Sequence, residues 1–426
     1  MPGNAATDAR RAALRILESC RRGQLFEHAL NEVAPALDER DRRLAHELAA
    51  GVLRRQSALD RLLTPLVSHD WGKVPELLRD ILRLGAYQLQ SLSRVPPHAA
   101  VATSVNLART VSGERSAGFV NAVLRRVAAQ HPAAEPDTAT HPPWLLERWI
   151  AQFGPENAAR LVSWNDTRPR LAVQPAREPL EPLLERWRAA GIAVEAAAYG
   201  LGYLVDARRP DQLEGFDRGA FLVQDPAQAM VARFAYGGPG TVYDACAAPG
   251  GKTLALSHQG AMVVAADRNR SRLVRIRENV ARAGSRREFP LVADAMAAPI
   301  RPVDSVLLDA PCLGTGTFSR HPDARWRVTP EALASLVENQ RAMLAALAPL
   351  VRPGGMLIYA TCSLEPEENE CQVEAFLTGH PEFHREPNPA IPAGLLNPRG
   401  DLAILPFRDQ MDGAYSARLR RTASSA

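Results

Sequence analysis

Cys312 and Cys362 carry the most specific chemistry in the chain. Cys312 lies in Asp309-Ala-Pro-Cys-Leu-Gly-Thr-Gly-Thr317 and Cys362 in Tyr359-Ala-Thr-Cys-Ser363, each at the end of an apolar, β-type run. A single cysteine in such a place is ordinarily an inert small hydrophobe. Two of them, on strands that a doubly wound sheet can set side by side, point to one pocket with two thiols. Such a pair suits a cytosine, whose C5 is too electron-poor to attack a methyl group unaided. A thiolate that adds to C6 makes C5 enamine-like and nucleophilic; loss of the C5 proton and expulsion of the thiol then release product. Asp309 can hydrogen-bond N3 and the exocyclic amine of that base, with a proton shared. Lys252 can contact the base or keep a nearby group ionised. The base must leave its stack, which costs least in a loop or a single strand. Residue types alone do not rank the two cysteines.

A methyl donor has to reach the same pocket. Tyr243-Asp-Ala-Cys-Ala-Ala-Pro-Gly-Gly-Lys-Thr253 reads as a strand, a tight glycine loop and a helix start, which sets a ligand over a helix N-terminus. Gly251-Lys252-Thr253 invites a P-loop reading, but that motif needs glycine where Cys246 stands, and Pro249 lacks an amide N–H. The dinucleotide signature G-x-G-x-x-G is absent. S-adenosylmethionine fits better, since its ribose and amine-bearing end call for acids at strand ends. Asp267 follows Val263-Val-Ala-Ala, where an acid accepts from ribose hydroxyls, and Asp294 follows Phe289-Pro-Leu-Val-Ala, within reach of an adenine amine. Asp244 precedes the glycine loop itself.

These residues need a scaffold that brings strand ends together. From residue 236 onward, β-type runs at 241–244, 262–266, 291–293, 306–309 and 356–361 alternate with helical stretches at 271–283, 331–349 and 367–377. That alternation predicts a parallel sheet with helices on both faces, a Rossmann-like α/β domain. Its ligands bind at the carboxyl ends of the strands, where Asp244, Asp267, Asp294, Asp309, Cys312 and Cys362 all fall. Upstream, strands near 171–173, 192–194 and 203–205, with a helix over 183–190, predict a small α+β module. Residues 6–130 read as successive amphipathic helices, with apolar stripes such as Ala13, Leu14, Ile16, Leu17 and Leu77, Leu78, Ile81, Leu82, Leu84. Four tryptophans, Trp144, Trp149, Trp164 and Trp187, read as core. The expected domains are therefore a helical one at 1–130, a Pro/Ala-rich linker at 131–143, a helical linker with the α+β module at 144–235, and the α/β domain at 236–426.

Composition narrows the class. The 426 residues carry a net charge of +4, but 1–130 hold 19 Lys+Arg against 13 Asp+Glu, so the surplus is N-terminal and suits a polyanionic partner. Lysine occurs only at Lys73 and Lys252, in a chain that otherwise uses arginine. No apolar run reaches the roughly 20 residues of a membrane span. The five cysteines contain no C-x-x-C pair, so neither a zinc site nor a disulfide framework is expected. The expectation is a cytoplasmic monomer without metal or membrane partner.

Two resemblances sharpen this reading. Gly51-Val-Leu-Arg-Arg55, Leu82-Arg-Leu-Gly-Ala-Tyr-Gln-Leu89, Val95-Pro-Pro-His98 and Gly118-Phe-Val-Asn-Ala-Val-Leu-Arg125 together resemble the NusB-like RNA-binding domain. The glycine loop, Asp309-Ala-Pro-Cys312 with Arg320-His-Pro-Asp-Ala-Arg-Trp326, and Thr361-Cys-Ser363 closely resemble the RNA cytosine-5 methyltransferases. Gln224-Asp225 and Asp412-Gly-Ala-Tyr-Ser-Ala-Arg-Leu419 look like flanking motifs of that family, although Ala414 replaces a frequent aromatic. The combination is similar to the bacterial small-subunit ribosomal RNA methyltransferase B family. That resemblance implies a 16S rRNA cytosine as substrate, Cys362 as nucleophile and Cys312 as an aid to product release. The competing readings are the same chemistry on tRNA and a non-catalytic RNA-binding ribosome assembly factor, against which the set Cys312, Cys362, Asp309 and Lys252 speaks. The expected catalytic set is Cys362, Cys312, Asp309 and Lys252. The expected cofactor set is Cys246, Ala247, Ala248, Pro249, Gly250, Gly251, Lys252, Asp267, Arg272, Asp294 and Asp309.

Overall fold

A computed structural model describes residues 5–68, 70–130, 140–176, 179–207 and 209–423. The chain divides into two compact units: Met1–Thr167 with Phe318–Arg327, and Arg168–Thr317 with Val328–Ala426.

The first unit is helical. Helices α1 (Ala5–Arg21), α2 (Phe26–Val33), α3 (Glu39–Leu63), α4 (Glu76–Ser91) and α5 (Pro97–Ala129) bury the stripes expected of them, Ala13, Leu14, Ile16, Leu17 and Ile81, Leu82, Leu84 among them. Asp38 caps α3, its carboxylate accepting from Asp41 N at 2.8 Å. Gly51 lets α4 approach: a Cβ there would lie 2.0 Å from the Tyr87 ring. Helices α6 (Pro143–Phe153) and α7 (Pro155–Asp166) join this unit too, and Trp149 is fully buried. Trp144 and Trp164 are only half-buried.

The segment Phe318–Arg327 completes the same unit, although it comes from the far side of the chain. Arg325 is wholly buried and donates to Asp166 Oδ1 at 2.7 Å, Asn165 O at 2.8 Å and Arg54 O at 3.0 Å. Trp326 Nε1 donates to Leu53 O at 2.7 Å, and Phe318 packs against His141 and Trp149. The buried guanidinium is thus paired and hydrogen-bonded, as a buried charge must be.

The second unit begins with a small antiparallel sheet. Its strands are β1 (Leu171–Pro175), β2 (Val194–Ala196), β3 (Tyr203–Val205) and β4 (Phe221–Val223), in the order β2-β3-β1-β4. Helix α8 (Glu181–Ala189) places Trp187 on its core, edge-on to Phe221. Helix α9 (Pro226–Ala235) then leads to the large sheet.

That sheet contains β5 (Thr241–Asp244), β6 (Met262–Asp267), β7 (Glu288–Val292), β8 (Val303–Asp309) and β9 (Val351–Thr361), paired in parallel in the order β9-β8-β5-β6-β7. Between them run α10 (Gly251–His258), α11 (Arg270–Ala283) and α12 (Pro330–Leu347); α13 (Glu370–Gly379) follows β9. The sheet is mixed. β10 (Phe383–Arg385), β11 (Leu402–Ile404) and β12 (Ala414–Arg421) add an antiparallel edge, with the short α14 (Pro406–Asp409) before β12. Side chains alternate between two cores, as period-2 strands require. Tyr243, Val306, Leu308 and Tyr359 pack with Leu344 and Phe376, whereas Val242, Leu307 and Ile358 pack with Met230 and Phe234. Strand β7 starts earlier than expected, so Ala293 and Asp294 lie beyond its end.

Candidate active site

The chain runs β5-β6-β7 outward and then returns to the other side of β5 for β8. This switch opens a crevice at the carboxyl ends of β5 and β8, the usual ligand position in such sheets. Asp244 ends β5 and Asp309 ends β8.

The glycine loop between β5 and α10 is held from behind by α11. Arg272, Ile276 and Asn279 stand at i, i+4 and i+7, on one face of that helix. Arg272 Nη2 donates to Ala248 O at 3.1 Å and Asn279 Nδ2 to Pro249 O at 2.9 Å, while Ile276 packs under Gly250. Arg272 also reaches Asp267 at 3.6 Å. The Ala248–Pro249 peptide is cis, Gly250 adopts φ +101°, and Ala247 N bonds Ala266 O at 2.8 Å. Only glycine adopts that φ readily. Cys246 follows Ala245 in the first turn, and its thiol is pushed up to about 12 by burial and by Asp309, Asp244 and Asp267, so it stays protonated.

Lys252 leaves α10 toward the crevice. Its ammonium donates to Asp309 Oδ2 at 2.7 Å and to Gln228 Oε1 on α9. Burial acts to lower its pKa, but attraction to and hydrogen bonding with Asp309, then Cys362 and Asp244, hold it above the ordinary value. Asp244 accepts from Thr253 Oγ1 at 2.7 Å, and its Oδ1 is buried without a partner. Burial raises its pKa to about 7, against the Thr253 hydrogen bond and with help from Asp309.

The two thiols meet. Cys312 Sγ and Cys362 Sγ lie 3.4 Å apart, and Cys362 N approaches Cys312 Sγ at 3.4 Å. The hydrogen bond with Cys362 and then burial drive the Cys312 thiol well above its usual range. Parallel pairing of Asp309 with Ala360 sets both cysteines just beyond adjacent strand ends. Two buried groups lock the loops that carry them. Glu368 accepts from Leu313 N at 3.0 Å and Gln340 Nε2 at 2.9 Å, and Gly316 N donates to Cys362 O at 2.9 Å.

Sequence reasoning missed Gln228, Asn279, Glu368 and Gln340. Asn279 was discernible from its spacing to Arg272; Glu368 sits in the acidic run Glu365-Pro-Glu-Glu-Asn369, which looks like a solvated surface. Asp294 lies exposed just beyond β7, with its carboxylate accepting from Met296 N. Arg325 and Trp326 of the Arg-His-Pro-Asp segment lie in the helical unit.

A cationic, amine-bearing cofactor fits this donor set. Asp244 Oδ1 is buried and unpartnered, and Asp267, buried at the end of β6, accepts from Asn269 N.

The model of the family described as 16S rRNA methyltransferase RsmB/F matches residues 238–420, and that of the NusB family matches 7–129. A probable ribosomal RNA small subunit methyltransferase B from Synechocystis sp. is 36% identical over 89% of this chain and 91% of its own length. The chain belongs to the ribosomal RNA small subunit methyltransferase B family. The Thermus thermophilus methyltransferase B is 37% identical over 91% of each chain. The crystal structure of PH0851 covers 96% of this chain and 98% of its own, with a TM-score of 0.79 at 25% identity. The structure of NSun6 from Pyrococcus horikoshii with SFG has a TM-score of 0.58 over 66% of this chain; at 19% identity it supports the fold alone. No helix among the described residues is long and apolar enough to cross a membrane.

Proposed function

We propose that the protein transfers a methyl group from S-adenosylmethionine to C5 of a cytosine in 16S rRNA, through a covalent bond between Cys362 and C6. The observation that carries this reading is the 3.4 Å pairing of Cys312 and Cys362 beside the Lys252–Asp309 ion pair. When bound, the cofactor supplies an electrophilic methyl group.

Asp309 and Lys252 orient the base: the carboxyl takes N3 and the exocyclic amine, and the ammonium holds the carboxyl in place. Cys362 sulfur adds to C6, and the electron pair this places on C5 takes the methyl group. Removal of the C5 proton then returns an electron pair that expels the Cys362 thiolate. Cys312, kept protonated by its neighbour and by burial, is placed to assist that release. Gly250, Gly251, Asp244, Asp267 and Asp294 hold the cofactor along the strand ends, and Arg272 steadies the loop. The basic surplus of residues 1–130 supports an RNA partner for the helical unit, and so does the likeness to ribosomal RNA small subunit methyltransferases B.

The test is methyl transfer from labelled S-adenosylmethionine to deproteinised 16S rRNA and, separately, to bulk tRNA. Label on a 16S cytosine C5, lost in Cys362→Ala, is expected; Cys312→Ala should accumulate protein–RNA adduct on a denaturing gel. Label on tRNA alone would replace the substrate. A Cys362→Ala protein that still turns over would end the covalent assignment.

A further inference from the structure

Gln224 lies between β4 and α9, outside every role assigned above. Its residue is 7% exposed, yet neither its Oε1 nor its Nε2 has a hydrogen-bond partner. A buried amide with both ends unmade carries a desolvation cost that a protein seldom leaves in place. Its position is specific. A Cβ built on Gly251, the first residue of α10, would stand 3.3 Å from Gln224 Nε2 and 3.7 Å from its Cδ. The amide therefore lies against Gly251, next in sequence to the Gly250 under which Ile276 packs.

The strand ends give the ligand a direction. Asp294 beyond β7 suits the adenine amine, and Asp267 at β6 suits the ribose hydroxyls. The remaining part of the cofactor, its amino-acid end, then falls over β5 and the start of α10, beside Asp244 Oδ1, which is also unpartnered. That end is zwitterionic: an ammonium that donates and a carboxylate that accepts. A primary amide offers one acceptor and two donors, so it can serve both groups at once.

We propose that Gln224 is a cofactor-binding residue that recognises the amino-acid end of S-adenosylmethionine, with Oε1 accepting from the ammonium and Nε2 donating to the carboxylate. This rests on the cofactor assignment under the proposed function and adds the group that reads its zwitterion. Lys252 turns toward Asp309 and Gln228, which leaves Gln224 as the neutral side chain on the Gly251 face. A neutral amide suits an amino-acid end whose two charges cancel.

Titration calorimetry on the full chain tests this with S-adenosylhomocysteine and with 5′-methylthioadenosine, which keeps the adenosine and sulfur but lacks the amino-acid end. Gln224→Ala and Gln224→Met should weaken S-adenosylhomocysteine about tenfold or more, the range for hydrogen bonds to charged groups. Both should leave 5′-methylthioadenosine within about twofold. Gln224→Met keeps the volume without the orphaned polar atoms, so without ligand it should melt no lower than the unsubstituted protein. Equal weakening of both ligands, or of neither, overturns the proposal. Unchanged S-adenosylhomocysteine binding with weakened RNA binding reassigns Gln224 to the base and overturns it too. If the unsubstituted protein binds neither nucleoside, the proposed function itself falls, and this inference with it.

Discussion

Asp244 is the residue on which loop, helix and charge converge. An unfolded aspartate ionises near 3.8, whereas burial raises Asp244 to about 7. Between those values the folded protein holds a proton that the unfolded chain has released, so stability falls as pH rises through that window and levels off above it. The contribution is up to roughly 4 kcal/mol at one pKa unit per 1.36 kcal/mol. Denaturation midpoints followed from pH 4 to 8 should decline, and Asp244→Asn should flatten the decline. An identical slope in the variant would assign the effect to other groups. On the proposed function this cost is offset when the unpartnered Oδ1 accepts from a cationic ligand, a stability–function conflict typical of sites.

At the scale of elements, the segment 318–327 matters most. It begins nine residues after β8 ends at Asp309 and supplies Arg325, Trp326 and Phe318 to the helical unit. Arg325→Ala removes a fully buried cation that satisfies Asp166 and, within 3.0 Å, the two backbone carbonyls Arg54 O and Asn165 O. Breaking a buried pair of this kind costs about 3 kcal/mol or more. Urea unfolding should show that loss in the midpoint, with little change in slope. A shift under about 0.5 kcal/mol would mean that the carbonyls find other donors. Helix α11 works on the same scale, since three side chains on one face fix the glycine loop.

At the scale of the molecule, the first unit is discontinuous in sequence. A fragment of residues 1–167 lacks the segment that buries Phe318, Arg325 and Trp326 in it. The synthetic peptide 318–327 should therefore raise the Tm of that fragment, by roughly 2–4 °C for each kcal/mol of binding free energy. The same peptide with Arg325→Ala should raise it far less. No thermal shift with either peptide would show that the fragment is complete without the segment.

Much of this protein was legible in its residues because short-range physics wrote it. The alternation of β-type and helical runs identified the α/β sheet, the apolar stripes identified the helical unit, and strand-end acids with two cysteines located the crevice. Each is a local pattern, set by side-chain period and by loop backbone geometry. The small sheet's fourth strand and the edge strands β10 and β11 escaped because runs of three residues carry little periodicity, whereas the eight residues of β12 were read only as a flanking motif. What tertiary structure alone decided is partnership at long range. Only packing could bring Gln228 to Lys252, bury Glu368 beneath Leu313, or place Arg325, which lies between Cys312 and Cys362 in sequence, in the helical unit. Such pairings depend on which surfaces meet after the chain closes on itself, and no spacing along the chain encodes that.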